Sequence, residues 1–301
     1  MAESDISSGS KYDIVSEKEK PEKLERNVPS KREKSDIVKK SKTNFTLLTF
    51  LWFGYHIASK IIPASLLWAY MDLIVFPLFK IPIFTALSQK PNIFIFISIP
   101  AALLGIYLID LFMSALVGKI IYAIMNRVHP RKELLKALPE GDTADDVDIY
   151  HYRNFVLRLV KWKFTKGAFP YLTTWIFNFI GASKIGKNCV IEECIFPMEY
   201  LEMGDNSYIG TGTISSSHLV EGKYASLTIK AIKLGQNAVC GAHSILAPGF
   251  EMGKGSQLLP QSGVPKFTKI KSGVNYWGIP AGRLSRKRYY DFIKVPKDLQ
   301  S

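Results

Sequence analysis

The sequence predicts a protein in two parts: membrane-spanning α-helices, then an all-β solenoid of parallel strands with a short C-terminal helix. Two observations support this prediction. Residues 44–127 are mostly apolar, whereas residues 1–43 are charged and almost lack aromatic side chains. From Ile185 onward, apolar side chains instead recur at every sixth residue and are often followed by glycine. The first pattern is typical of helices in a bilayer, and the second is typical of a stacked coil.

The first 43 residues mix both signs of charge with Ser and Pro. Such a segment buries too little apolar surface to offset the entropy lost on ordering, so we expect it to be disordered. We expect no signal peptide, because the apolar stretch begins too late in the sequence.

Two long apolar runs follow, at residues 44–79 and 92–125. A membrane span needs roughly 20 apolar residues, so each run is long enough for a tilted helix or for a helix with an interfacial extension. The sequence leaves two or four spans open. An even number puts both chain ends on one side, and the basic residues of the tail and of residues 126–136 predict that this side is cytoplasmic. We therefore expect a multi-pass membrane protein with its N-terminus and β-domain in the cytoplasm.

Ionisable residues interrupt both apolar runs, at Lys60, Asp72, Asp110 and Lys119. We expect them near the membrane interface with snorkelling stems; a partner or a substrate path is the alternative. Residues 128–181 form the next segment. Within it, residues 152–181 interleave basic and aromatic side chains, which predicts amphipathic helices on the membrane surface. The β-domain should then occupy residues 182–280 and a basic helix or tail residues 281–301.

The net charge of +13 favours anionic partners. Cytosolic Lys and Arg of a membrane protein explain this excess best, and we expect no nucleic-acid partner because no such binding motif is present. The three cysteines, Cys189, Cys194 and Cys240, form no CxxC or Cys/His pair. We interpret them as small buried hydrophobic residues.

The six-residue register runs in two stretches and predicts a triangular coil of eighteen residues, with three short strands per turn and aliphatic side chains stacked inside. A glycine beside the aliphatic residue is expected to turn a corner, where it adopts conformations that other residues avoid. The inward positions are Ile185, Ile191, Pro197, Met203 and Ile209, then Leu234, Cys240, Leu246, Met252, Leu258 and Val264.

The register breaks between Ile209 and Leu234, which are 25 residues apart, because 25 is not a multiple of six. We therefore expect an excursion from the coil within residues 215–233. Loops held by a rigid scaffold often carry function. Here the excursion contains His218, directly after three serines.

Residues 181–284 resemble the hexapeptide-repeat acyltransferases, whose fold is the left-handed parallel β-helix. The motifs concerned are His218 on a loop, "LGQNAVCGAHSILAPGFEMG" (234–253), "QSGV" (261–264) and "YWGIPAGRL" (276–284). A closer likeness is to the membrane-embedded C-terminal domains of polylysine-type non-ribosomal peptide synthetases, through "GASKIGKNCVIEECIFPMEYLEMGDNSYIG" (181–210). We expect one such domain within these 301 residues and expect no adenylation or carrier domain among them, in which they differ from the synthetases.

The resemblance implies a membrane-bound transferase that moves an acetyl, aminoacyl or other acyl group from acyl-CoA or acetyl-CoA to a hydroxyl or amine, without a metal. From the same resemblance we expect a small-molecule or lipid acceptor and a homotrimer, with His218 facing the neighbouring subunit. His218 would be the general base, since an imidazole titrates near neutral pH. Ser216 and Ser217 would contact substrate. Glu199 and Asp205 would orient His218 from a neighbouring coil or subunit; the alternative is that both are ordinary solvated carboxylates of turns. The expected cofactor contacts are Ala242, Ser262, Gly263, Gly278, Pro280, Ala281 and Arg283.

Several alternatives remain open at this point. His243 is a rival base, although a histidine within a coil is more often structural. The basic residues after Gly278 suit CoA phosphates or anionic lipid equally well. A β-helix without catalytic activity would serve as a membrane-anchored scaffold. The zinc carbonic anhydrase of the same fold needs three histidines, and the coil region offers only His218 and His243.

Overall fold

The structure, a computed structural model, describes residues 44–82, 85, 88–136, 142–221 and 226–299. The tail at residues 1–43, which we expect to be disordered, lies outside the described residues. The described chain forms two compact units. A helical unit contains residues up to Lys132 and residues 140–183, and a β unit contains Glu133–Pro139 and Lys184–Ser301.

The helical unit consists of two long helices and several shorter ones. Its helices are α1 (Phe45–Tyr70), a π-helical turn (Met71–Val75), α2 (Phe76–Phe79), α3 (Lys90–Val128), α4 (Asp142–Thr165), a 3-10 turn (Pro170–Leu172) and α5 (Thr173–Ile180). Among the described residues, two stretches are long and apolar enough to cross a membrane: Phe45–Leu78 with mean hydropathy 1.8 and Asn92–Val128 with mean hydropathy 2.2. Most of each stretch is exposed in the isolated chain.

Helix α4 packs along α3 and does not lie free as a surface helix. Val156, Leu157 and Val160 of α4 are fully buried. Gly118 of α3 makes this close approach possible, because a Cβ at that position would lie 2.3 Å from Cγ2 of Val160. The apolar face that we predicted for a membrane surface is therefore partly used within the protein, whereas the aromatic residues Trp162 and Tyr171 remain exposed.

The β unit is a three-sided parallel coil. Its first face contains β2 (Lys184–Ile185), β4 (Leu201–Met203), β9 (Ile232–Leu234), β12 (Glu251–Met252) and β15 (Lys269–Ile270). Its second face contains β3 (Val190–Ile191), β5 (Tyr208–Ile209), β10 (Val239–Cys240), β13 (Gln257–Leu258) and β16 (Asn275–Trp277). Its third face contains β6 (Ile214–Ser215), β11 (Ile245–Leu246) and β14 (Gly263–Val264). The turn after each face is called the first, second or third corner.

Strand pairing confirms the predicted coil. Met252 pairs in parallel with Leu234 on one side and with Ile270 on the other, each eighteen residues away along the chain. The inward side chains stack as a result, and residues such as Ile209 and Cys240 are fully buried. One coil cannot bury this interior alone, so neighbouring coils stabilise one another.

Two details of the register prediction are wrong. Ile195 pairs with Ile214, which places Phe196 and not Pro197 opposite the inward Ser215. The glycines after the inward residues also serve another purpose. Positive φ angles occur two residues later, as at Asn206 and Gly255, and not at Gly204 or Gly253. A Cβ at Gly253 would instead lie 2.4 Å from the backbone nitrogen of Ser272 in the next coil, so close stacking of the coils requires glycine there.

The C-terminal end of the coil is closed by antiparallel pairing. Strand β17 (Gly282–Leu284) pairs with β16, so the chain reverses there. Helix α6 (Arg286–Ile293) follows, and Ser285 caps it by accepting a hydrogen bond from Arg288 N. A short 3-10 turn (Lys297–Leu299) ends the described chain.

Candidate active site

The predicted excursion is a β-hairpin that leaves the coil at the third corner. Its strands are β7 (His218–Glu221) and β8 (Ser226–Ile229), which pair antiparallel, with His218 opposite Ile229. Ser215 and Lys233 belong to coil strands, so the excursion lies inside the predicted segment. His218 begins a strand of this hairpin, where we had expected a loop residue. Backbone pairing therefore holds its Cα more firmly than a loop would.

Ser216 holds the imidazole of His218 through a local hydrogen-bond cluster. The Ser216 hydroxyl donates to the carbonyl oxygen of His218 at 2.5 Å and accepts from its backbone N–H at 3.2 Å. The same Oγ lies 3.2 Å from Nδ1 of the ring. A hydroxyl has one proton to donate, so the Nδ1 contact favours a proton on Nδ1. This tautomer leaves the lone pair on Nε2, where a general base needs it.

Contacts at both ends hold the hairpin in place. At its base, Lys230 N donates to Ser217 O at 2.9 Å. At its outer end, Glu221 forms an ion pair with Lys266, which lies at the third corner two coils further along. Lys230 also lies over the ring of Phe267, with Nζ 5.4 Å from the ring centroid. The hairpin is thus fixed to the coil stack along most of its length.

A third strand from a distant part of the chain extends the hairpin. Strand β1 (Leu134–Lys136) pairs antiparallel with β8, so that β8 lies between β1 and β7. Glu133 accepts a hydrogen bond from Ala231 N at 3.1 Å. The sequence does not predict this strand. Three residues carry too little periodicity to predict a strand, and nothing in "ELLK" indicates a partner almost 100 positions away.

The structure separates the two carboxylates that we expected to orient His218. Glu199 is fully buried at the third corner, and its neighbour Tyr200 accepts a hydrogen bond from Ile232 N just after the hairpin. Glu199 thus lies at the edge from which His218 emerges, one coil earlier. Asp205 lies at the first corner, where it accepts from Lys187 N at 2.7 Å. Within one chain, the expectation that Asp205 orients His218 is therefore not supported, because its carboxylate caps a turn at another edge.

Most of the predicted cofactor residues, all except Arg283, lie in a column along the second corner and the adjoining third face. Ser262 Oγ accepts from Gly278 N at 3.3 Å, and Gly263 N donates to Gly278 O at 2.9 Å. Ala281 N donates to Gly263 O at 2.8 Å, so "GIPA" lies directly beside the preceding coil. One coil earlier, Ala242 O accepts from Gln261 N at 2.9 Å. Pro280 follows in this segment, whereas Arg283 lies on β17 opposite Tyr276.

The rival base, His243, lies at the second corner beside Ala242. It is exposed and has φ of 56°, and its ring rests on Gly212, where a Cβ would come within 2.3 Å of Nδ1. His243 N donates to Thr211 O in the preceding coil. These contacts fit a turn residue that packs between coils.

Among the described residues, the buried cysteines Cys189 and Cys240 and a depression on the first face provide no competing site, and Cys194 is half-buried, contrary to our expectation that all three cysteines are buried. Burial raises the pKa of the Cys240 thiol to about 12, so this thiol is a poor nucleophile near neutral pH. Cys189 is also buried. A depression of about 540 Å³ lies on the first face and is lined by alternating Lys and Glu. Its charges already form ion pairs, with Lys233 and Lys269 each 3.8 Å from Glu251.

No protein-family model matches this chain, and no curated protein sequence does. Three similar solved structures illustrate what it is like. A hexapeptide-repeat-containing acetyltransferase from Vibrio cholerae has 16% identity and a TM-score of 0.37, and covers 42% of this chain and 86% of its own. The N-acyltransferase AntD from Bacillus cereus, in complex with dTDP and 3-hydroxybutyryl-CoA, has 20% identity and a TM-score of 0.30. The match covers 40% of this chain and 83% of AntD. A maltose O-acetyltransferase from Clostridium difficile has 15% identity and a TM-score of 0.33, and the match covers 57% of this chain and 87% of that enzyme.

Proposed function

We propose that this protein is a membrane-bound acyltransferase that transfers an acyl group from a CoA thioester to a hydroxyl or amine, with His218 as the general base. The observation that carries the proposal is the clamped imidazole: Ser216 contacts Nδ1, which leaves Nε2 as the basic nitrogen. The two long apolar helices support membrane insertion.

The proposed reaction uses the residues at the hairpin as follows. Nε2 of His218 takes the proton of the acceptor O–H or N–H as that atom attacks the thioester carbonyl. The Ser216 hydroxyl already donates its proton to His218 O, and Ser217 is fully buried, so a backbone N–H beside His218 would stabilise the oxyanion of the tetrahedral intermediate. The C–S bond then breaks, and the imidazolium returns the proton to the leaving thiolate, which yields free CoA and the acylated acceptor.

The site requires a second copy of the chain. His218 leaves the coil at the third corner, and the cofactor column starts at the second corner, so the whole third face lies between them. A six-residue side of the coil spans up to ~20 Å at about 3.3 Å per residue. A neighbouring β unit that packs against the third face would bring its cofactor column to this His218. We therefore propose the homotrimer, with each site between two chains.

An exposed column of isoleucine on the third face supports this assembly. Ile195, Ile214, Ile245 and Ile279 are each between 47% and 73% exposed. Ile279 covers Gly263, because a Cβ there would lie 3.1 Å from Ile279 Cγ2. A continuous aliphatic strip of this kind is unusual on an isolated chain and marks an interaction surface.

We expect Ile245→Lys to convert the trimer into a monomer, because the new charge would lie at the centre of the buried interface. Multi-angle light scattering of detergent-purified protein would measure the change as a threefold loss of protein mass. Val190→Lys, an equally exposed aliphatic position on the second face, is the matched control and should leave the mass unchanged. A wild-type chain that is already monomeric would contradict the proposed assembly.

We expect acetyl-CoA or a longer acyl-CoA to stabilise the purified protein. At a ligand concentration of 100 times Kd, binding contributes about 2.7 kcal/mol to the free energy of unfolding. This corresponds to an increase in Tm of roughly 5–10 °C for a cooperatively unfolding domain of about 150–250 residues. Thermal-shift measurements with a panel of CoA thioesters, combined with mass spectrometry of the retained ligand, would detect it. If no CoA species binds, the transferase proposal fails and the membrane-anchored scaffold becomes the better explanation.

A further inference from the structure

Three charged side chains from three helices meet inside the helical unit. Lys60 Nζ of α1 lies 2.8 Å from Oδ1 of Asp110 in α3, and Lys163 Nζ of α4 lies 2.6 Å from Oδ2 of the same carboxylate. Lys163 also donates to the backbone oxygen of Asp110 at 3.2 Å and contacts the hydroxyl of Ser114. We call Lys60, Asp110, Lys163 and Ser114 the basic cluster. Its two ammonium groups and one carboxylate leave one positive charge without compensation inside the cluster.

The basic cluster is open on one side only. The side chains of Asp110 and Lys163 are 11% and 21% exposed, whereas that of Lys60 is 51% exposed. Asp110 accepts one of the three N–H donors of Lys60. The exposed half of Lys60 therefore presents N–H donors to whatever surrounds the helices. Asp110 holds both lysines in place, so their side chains lose little further freedom when they bind an anion.

From the basic cluster to the end of each apolar stretch that lies nearer the connection between the two long helices, the helical length fits one crossing of the bilayer. Eighteen residues separate Lys60 from Leu78, where the first apolar stretch ends, and eighteen separate Asn92 from Asp110. At 1.5 Å per residue, each distance is about 27 Å, close to the ~30 Å of a hydrocarbon core. Both helices therefore cross the bilayer once between the basic cluster and the connection at residues 79–89. The cluster then lies at the level of the lipid headgroups.

The packing of helix α4 independently supports a position of the basic cluster at the lipid headgroups. Arg153 donates to His129 O at the end of α3, Val160 packs on Gly118, and Lys163 reaches Asp110. The polar helix α4 thus runs antiparallel along α3 and ends at Thr165, just past the basic cluster. The segment that follows α4 reaches Tyr107, one turn of α3 past Asp110, where Ala168 N donates to the Tyr107 hydroxyl at 3.2 Å. The polar helix α4 therefore ends within about one turn of the basic cluster, which is the arrangement expected where hydrocarbon begins.

We propose that the basic cluster binds the phosphate group of an anionic membrane phospholipid through Lys60, assisted by Lys163. The headgroup phosphate would supply the negative charge that the cluster lacks, and lysine is a common point-charge ligand for phosphate. The acyl chains would lie along the exposed apolar surface of α1 between Lys60 and Leu78, including Ile61 and Leu66. This inference rests on the proposed membrane insertion but does not depend on the acyltransferase reaction.

The test uses full-length protein in vesicles of phosphatidylcholine with or without about 20% phosphatidylglycerol, an anionic lipid. We expect phosphatidylglycerol to raise the Tm of the wild type by several degrees, and Lys60→Gln to remove at least half of this shift. Lys60→Arg, which keeps the charge, should retain it. Lys80→Gln removes the same charge beyond the far end of α2 and should also retain it. In pure phosphatidylcholine, unchanged helical circular dichroism of Lys60→Gln would show that this variant folds.

Three results would overturn the inference. An equal phosphatidylglycerol shift in wild type and Lys60→Gln would show that Lys60 is not the ligand. Equal stabilisation by inorganic phosphate in detergent, without lipid, would show that the site binds free phosphate. A failure of the protein to float with vesicles would refute membrane insertion, and with it both the headgroup site and the membrane part of the proposed function. Flotation is measured separately, so these failures can be told apart.

Discussion

His218→Ala should lower kcat for acyl transfer by about 10²–10⁴-fold, because removal of a general base costs a factor of this size. The affinity for acyl-CoA should change little, since the cofactor column lies along the second corner and not at the hairpin. Release of free CoA from acetyl-CoA, by protein reconstituted with a membrane lipid extract as the source of acceptor, would measure the rate. Binding of CoA would be measured on the same samples.

His243→Ala is the matched control for this experiment. It removes the other imidazole of the coil region at a turn position that packs on Gly212. We expect its kcat to stay within a few-fold of the wild type. The proposal would be refuted if His218→Ala kept full activity, and the base would be reassigned if His243→Ala alone lost it. The kcat of Ser216→Ala should lie between those of His218→Ala and His243→Ala, because this substitution removes the contact to Nδ1 but leaves the imidazole ring.

Gly253→Ala should destabilise the β-helix by about 3 kcal/mol, at the upper end of the range for inserting one methyl group into a packed interior. The added Cβ would lie 2.4 Å from the backbone nitrogen of Ser272 in the next coil. Backbone cannot move aside as a flexible side chain can, so the two coils must separate locally. Each coil is stabilised by its neighbours, so separation at one interface weakens the stack on both sides. Urea unfolding in detergent, followed by far-UV circular dichroism, would show a lower midpoint.

Gly255→Asn is the control variant, because it shows whether the effect of Gly253→Ala comes from crowding by the added Cβ or from a backbone conformation that only glycine adopts. Gly255 has φ of 63°, and no atom of the described residues lies within 4 Å of the position that a Cβ would occupy there. Asn is common in this left-handed region. We expect this variant to lie within about 0.5 kcal/mol of the wild type, as for most surface substitutions. Equal effects of the two substitutions would contradict the close-approach explanation for Gly253.

Much of the architecture could be predicted from local periodicity. A three-sided coil repeats the same environment every six residues, so inward residues such as Met252 and Leu258 reveal the register in the sequence itself. Two apolar runs of more than 30 residues likewise indicated the long helices α1 and α3 without any knowledge of their partners. The position of the excursion also followed, because an interval of 25 residues cannot fit a six-residue coil.

The candidate site was only partly predictable. Spacing placed His218 within an excursion, but it did not show that Ser216 would clamp the ring or that Asp205 would lie at a different corner. Both outcomes depend on the direction in which the chain leaves the coil. The predicted cofactor residues, spread over about 40 positions from Ala242 to Arg283, come together because the eighteen-residue repeat stacks most of them along one edge.

The sequence by itself determined the coil register, the long apolar helices and the presence of one histidine in the interruption, because each is a pattern among residues close together in the chain. Only the tertiary structure decided that β1 joins the hairpin and that Lys60, Asp110 and Lys163 meet, because these partners are about 50 to 100 residues apart. The tertiary structure also explains why glycine is required at position 253. Contacts of this kind depend on how close two backbones come, and spacing along the sequence contains no information on that distance.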